Sequence, residues 1–224
     1  MKNLAGLAAL VMLLASLSGC HFDHFGTVAG SGVRKSEKRD LPSFHAINTE
    51  GAFSVEATSQ KPASFEVEAD DNILPLIQTN VRNGVLYLKT EKGYNSSKGV
   101  FVRITVPDLS MIEATGASKF RVQGLKNDKF EVHTTGASTI AVSGESQSVE
   151  IHTTGAGLVD AHNLRAAKAN VSSTGAAKVD VYASEQLDAN VSGIAHVTYS
   201  GDPKVVNKNT TGAATVAKRE DTSN

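Results

Sequence analysis

Residues 115–122 read Thr115-Gly116-Ala117-Ser118-Lys119-Phe120-Arg121-Val122, and the unit returns along the rest of the chain. Its further copies open at Thr135-Gly136-Ala137, Thr154-Gly155-Ala156, Thr174-Gly175-Ala176, a degraded Ser192-Gly193-Ile194, and Thr211-Gly212-Ala213. The six glycines are 20, 19, 20, 18 and 19 residues apart. A period near twenty, with no helix-length segment inside it, marks a β-solenoid in which each repeat is one coil.

The repeats align as columns. Four residues past the glycines stand Phe120, Ile140, Val159, Val179, Val197 and Val216, apolar in every coil. Two further on come Val122, Val142, Ala161 and Val181, then Tyr199 and Lys218. The positions between are polar or small: Arg121, Ala141, Asp160, Asp180, Thr198 and Ala217. This is the period of two that places one strand face in the core and the other in water. A second strand precedes each turn, with Ile112, Val132, Ile151 and Val171 three before the threonine. The glycine is expected at positive φ, the following alanine to pack inward at the corner, and the threonines to stack about 4.8 Å apart from coil to coil. The shorter coil at Gly193, lacking the threonine, is expected to interrupt that ladder.

Upstream, Ile47, Gly51, Phe53 and Val55 repeat the pattern weakly. Phe65 to Ala69 and Val100 to Val106 alternate as strands. Asn83-Gly84 predicts a hairpin joining Val81 to Val85-Leu86-Tyr87-Leu88. Around Ile73, Leu74 and Ile77, Pro75 limits any helix to a short turn. Residues 91–99 read as an exposed loop.

The chain opens with Lys2, an apolar run from Leu4 to Leu17, and Leu17-Ser18-Gly19-Cys20. This predicts a secretory signal peptide over residues 1–19. Cys20, the one cysteine, follows small residues in a pattern similar to a bacterial lipobox, so it is the expected lipidation site and residue one of the mature chain. Acyl chains on Cys20 would anchor the protein to a membrane. Residues 20–43 read as a flexible tether, residues 44–218 as the domain, and residues 219–224 as a polar tail. His21 and His24 fall in the tether and read as linker. With 22 Lys+Arg against 23 Asp+Glu, the net charge is −1. No basic stripe is present, which argues against a nucleic-acid partner.

The chain resembles the auto-transporter adhesin head GIN domain family of bacterial lipoproteins over about residues 44–218. The likeness rests on Gly51-Ala52-Phe53-Ser54-Val55, Asn83-Gly84-Val85-Leu86, Ile104-Thr105-Val106-Pro107 and the repeated Thr-Gly-Ala unit. Members typically carry Ser-Gly-Ala where this chain carries threonine. The resemblance implies a right-handed single-stranded parallel β-helix and a place in the bacterial cell envelope, with the outer membrane expected. It implies no catalytic residue.

The outward columns hold the candidate chemistry. Glu113, His133 and His152 share one column, whose residue types suit zinc. The column reads as an outward polar stripe, with no metal or cofactor expected. Asp160 and Asp180 align one coil apart, as an acid–base or calcium pair would. The neighbouring Lys119, Arg121 and Lys178 favour a surface charge lattice. Tyr182 and Tyr199 are the tyrosine pair expected near neighbouring corners, and corner packing is their simplest role. No Gly-x-Ser-x-Gly, His-Glu-x-x-His or phosphate loop occurs. The expectation is a non-enzymatic, lipid-anchored binding or structural element with an envelope protein or glycan as partner. The alternative is a polysaccharide-active enzyme on the same fold.

Overall fold

The computed structural model describes residues 26–219; Cys20, His21 and His24 lie outside them. The chain enters through β1 (Val28–Ala29) and β2 (Arg34–Lys38), then β3 (Ala46–Gly51) and β4 (Phe53–Thr58). Next come β5 (Ser64–Asp70), a 3-10 turn (Leu74–Leu76), β6 (Ile77–Arg82), β7 (Val85–Thr90), β8 (Tyr94–Asn95) and β9 (Val100–Thr105). The repeats follow as β10 (Met111–Gly116), β11 (Lys119–Gly136), β12 (Thr139–Gly155), β13 (Leu158–Gly175) and β14 (Lys178–Tyr182). The last coils are β15 (Gln186–Gly193), β16 (His196–Ser200), β17 (Val205–Gly212) and β18 (Thr215–Lys218).

These strands stack in parallel register as a β-solenoid. On one face β3, β10 and the second half of β11 lie side by side, with Gly51, Gly116 and Gly136 as register partners. On the other, Phe120 pairs with Val55 and Ile140, and the column runs on through Val159, Val179, Val197 and Val216. Phe120, Ile140, Val159, Val179 and Val197 are buried; Val216, on the terminal coil, is half-buried. They belong to one core cluster running from Phe44 to Tyr199. A register slip by one residue would turn this column into water, which is why alternation specifies the pairing so strongly.

The glycine at each corner has a steric cause. Gly116, Gly136, Gly155 and Gly175 sit at φ 109°, 110°, 111° and 117°. A Cβ on Gly136 would stand 2.6 Å from the carbonyl oxygen of Gly116, so the coils could not close to sheet spacing. The corner alanine does not pack inward as expected. Ala117, Ala137, Ala156 and Ala176 are exposed, and the inward corner position is one residue later, at Ser118, Ser138, Gly157, Ala177 and Ala195. Alternation runs through the corner in phase: Ile112, Ala114, Ser118, Phe120 and Val122 all face inward, which leaves Ala117 on the outward parity with Thr115 and Lys119. The hydroxyl column, in contrast, is unbroken: Thr115, Thr135, Thr154, Thr174, Ser192 and Thr211 are in register, and Ser192 donates to Thr174 at 3.3 Å. The shorter coil takes up its deletion elsewhere, between Tyr182 and Gln186, where the strand breaks.

The N-terminal end departs from the solenoid. β6 and β7 form the expected hairpin, with Asn83 at φ 51° and Gly84 at φ 75°, as a two-residue primed turn requires. Within the stretch expected to be a tether, β1 pairs with β8 and β2 pairs antiparallel with β5. Arg34 holds β2 in place through Glu68, at 3.2 Å, and the Gly99 carbonyl, at 2.7 Å. At the C-terminal end the inward column Ile112, Val132, Ile151, Val171, Ala189 finishes on Lys208. Its ammonium turns across the open coil to donate to the Val216 carbonyl, at 3.1 Å, and lies 5.0 Å from the Tyr199 ring.

Candidate functional site

The outward face of the β7–β3–β10–β11–β12–β13 sheet carries one column of chemistry: Tyr87, Asn48, Glu113, His133, His152 and Ser172, each the register partner of the next. Alternation puts them outward, because the intervening Ile47, Ile112, Val132 and Ile151 are buried. The His133 and His152 rings stack at 4.8 Å between centroids, one coil apart. His133 Nε2 lies 3.3 Å from Glu131, and His152 Nε2 lies 2.8 Å from Glu150. Lys129 ties the two carboxylates together, at 2.7 Å from Glu131 and 2.8 Å from Glu150. Hydrogen bonding from Lys129, then from His152, holds the Glu150 carboxyl down to about 2. The Lys129 hydrogen bond also lowers Glu131, and the two carboxylates raise Lys129 well above the usual ammonium range.

Glu113 does not converge on the imidazoles; it accepts from Asn48 Nδ2 at 2.6 Å. Among the described residues no group of three or more His, Cys, Asp or Glu is placed to hold a metal ion. The column is a lattice of paired charges on a sheet surface.

Asp160 and Asp180 are register partners on the other face, as the spacing required. Each has its own partner: Asp160 is hydrogen bonded to His162, and Asp180 faces Arg219 at 3.4 Å and Lys178 at 4.0 Å. The tyrosine pair separates. Tyr199 points inward and is buried. Tyr182 points outward beneath Arg165, whose guanidinium carbon lies 4.3 Å from the ring centroid. It lines an open groove of about 640 Å³ with Lys126, Glu145 and Gln147. Burial pushes the Tyr94 hydroxyl up, and that hydroxyl donates to the Ala52 carbonyl.

A second groove, of about 380 Å³ and not anticipated from the sequence, lies between the β6–β7 hairpin and β3. Asn80 and Asn48 stand directly across from Tyr87 on its two neighbouring strands. The signal was present: a two-residue turn at Asn83-Gly84 fixes Asn80 opposite Tyr87.

A parallel β-solenoid with outward polar ladders offers long regular faces for contact. The family model described as "Putative auto-transporter adhesin, head GIN domain" matches residues 43–203. The chain belongs to that family. The solved "putative adhesin" of Bacteroides fragilis is similar at 22% identity and a TM-score of 0.73, covering 86% of this chain and 100% of that one. A "putative adhesin" of Parabacteroides distasonis is similar at 19% identity and a TM-score of 0.57, covering 87% and 100%. A "Putative lipid binding protein" of the same species is similar at 18% identity and a TM-score of 0.54, again covering 87% and 100%. These likenesses establish the shared fold. No curated protein matches the chain.

Proposed function

We propose that this chain is a non-enzymatic binding protein of the bacterial cell envelope, anchored through lipid on Cys20, that presents its outward ladders to an envelope protein or glycan. The observation that carries this reading is the state of the acidic groups. A polysaccharide lyase or hydrolase needs carboxylates free to take up or release a proton beside a cleft. Here Asp160, Asp180, Glu131 and Glu150 are each engaged by a histidine, lysine or arginine. They form a paired surface lattice, and none of these four carboxylates stands free as an acid or base over a substrate. Membership in an adhesin-type family supports the same reading.

The testing experiment is photo-crosslinking in living cells. A photoreactive residue replacing His152, on the outward column, is expected to capture a discrete envelope partner. One replacing Val159, inside the core, is expected to capture none. Equal or absent capture at both positions would refute the binding surface. For the anchor, Cys20→Ser is expected to move the protein out of the membrane fraction; unchanged partitioning would refute lipidation.

A further inference from the structure

Of the four tyrosines, Tyr199 is buried, Tyr94 is tied to the Ala52 carbonyl and Tyr182 lies under Arg165. Tyr87 alone is both outward and uncovered, 38% exposed in the middle of a sheet. Its neighbours form a small lattice. One row is Asn80, Tyr87, Asn48 across β6, β7 and β3; the next is Gln78, Lys89, Glu50 across the same strands. The strands in such a lattice lie about 4.8 Å apart, and rows of the same face about 7 Å apart. Arg82 closes the side toward the turn. Leu88, on the opposite face, is fully buried and fixes the strand from below.

We infer that this groove is a saccharide subsite that takes a hydroxyl-rich oligosaccharide, with Tyr87 as the platform under a sugar ring and Asn48 and Asn80 as hydroxyl partners. The inference rests on the proposed reading of the outward face as a binding surface. A sugar ring presents a flat face of C–H groups to an aromatic and a rim of hydroxyls that donate and accept at once. An aromatic flanked on both sides by amides, which likewise donate and accept, meets both demands. Asn48 spends one amide N–H on Glu113, at 2.6 Å, which fixes the amide and leaves its carbonyl oxygen to accept. The volume, about 380 Å³, lies within the range of small-molecule sites and gives room for about two sugar rings. Beyond the groove the Asn48–Glu113–His133–His152 column continues along the solenoid axis, one outward side chain per coil. A longer glycan would run along that column.

The test is binding of the full chain, in detergent micelles, to an array of neutral and uronate oligosaccharides, followed by titration of the sugars retained. Retention is expected. Tyr87→Ala is expected to weaken it by about tenfold and Tyr87→Phe by less than about threefold, since the ring carries the contact. Tyr182→Ala, in the other groove, is expected to leave it unchanged. No retained sugar, or equal affinity in Tyr87→Ala, overturns the subsite. If the array stays empty while the His152 crosslinker still captures a partner, the saccharide inference falls and the binding surface stands. If both fail, both fall.

Discussion

The carbonyl oxygen of Gly116 accepts a hydrogen bond from the Ala137 amide at 2.8 Å, in the space that a Cβ on Gly136 would enter to within 2.6 Å. The same contact recurs at Gly155 over Gly136 and at Gly175 over Gly155, so the corner glycines form a continuous ladder. Gly136→Ala therefore meets both a disfavoured φ and fixed backbone. It is expected to cost about 2–4 kcal/mol, read from chemical denaturation. Ala137→Ser, on the neighbouring exposed residue, should change stability by less than about 0.5 kcal/mol.

Buried hydroxyls one residue before the exposed threonines divide into two kinds. Thr153 Oγ1 donates to Ser173 Oγ at 2.7 Å, whereas Thr134 Oγ1 is buried without a partner. Val191 occupies the same column two coils past Thr153, so the site accepts valine. Thr134→Val is expected to stabilise by about 1 kcal/mol, and Thr153→Val to destabilise by a similar amount. Thermal melts of the two variants should shift in opposite directions.

Lys129 gives the surface lattice a pH dependence. Glu150 titrates near 2 in the folded chain against an ordinary 4.5, and Glu131 is lowered in the same sense. A depressed folded pKa contributes stability above the unfolded value and loses it as pH falls through the folded one. The Lys129–Glu150 contribution should thus be complete above about 4.5 and gone near 2. Lys129→Met is expected to melt slightly below the parent at pH 7 and level with it at pH 2. The gap should be small, because all three groups touch solvent.

Lys208 sits where every earlier coil has an apolar residue, and it lies across the open end against Val216 and Tyr199. An inward-directed lysine on a terminal strand discourages edge-to-edge pairing. Lys208→Val is expected to produce concentration-dependent association on size-exclusion chromatography, where the parent elutes independently of concentration.

What the residues disclosed, and what they withheld, follows from the range of the forces involved. The column from Phe120 to Val216 was legible because period-two alternation and a constant repeat length act within one coil. The corner alanines were misplaced because the small side chain was read as a packing signal, although Ala117 has the outward parity of Thr115 and Lys119 and alternation runs through the corner in phase. Arg34–Lys38 is polar throughout and became a strand only by pairing with Ser64–Asp70, some thirty residues on. Tyr182 and Tyr199 parted because they stand at positions of opposite parity in neighbouring coils: Tyr199 aligns with Val181, not with Tyr182. Tyr87 and Asn80 were within reach of the hairpin register, whereas Asn48 joins them only through the parallel pairing of β3 with β7.

The most direct test of a binding surface against an enzyme is the fate of a polymer held against it. Envelope polysaccharides incubated with the full chain would be sized by chromatography before and after. The account predicts unchanged polymer length at every pH tried, with polymer retained by the protein. Shortening of the polymer that disappears in Asp160→Asn and Asp180→Asn would contradict it.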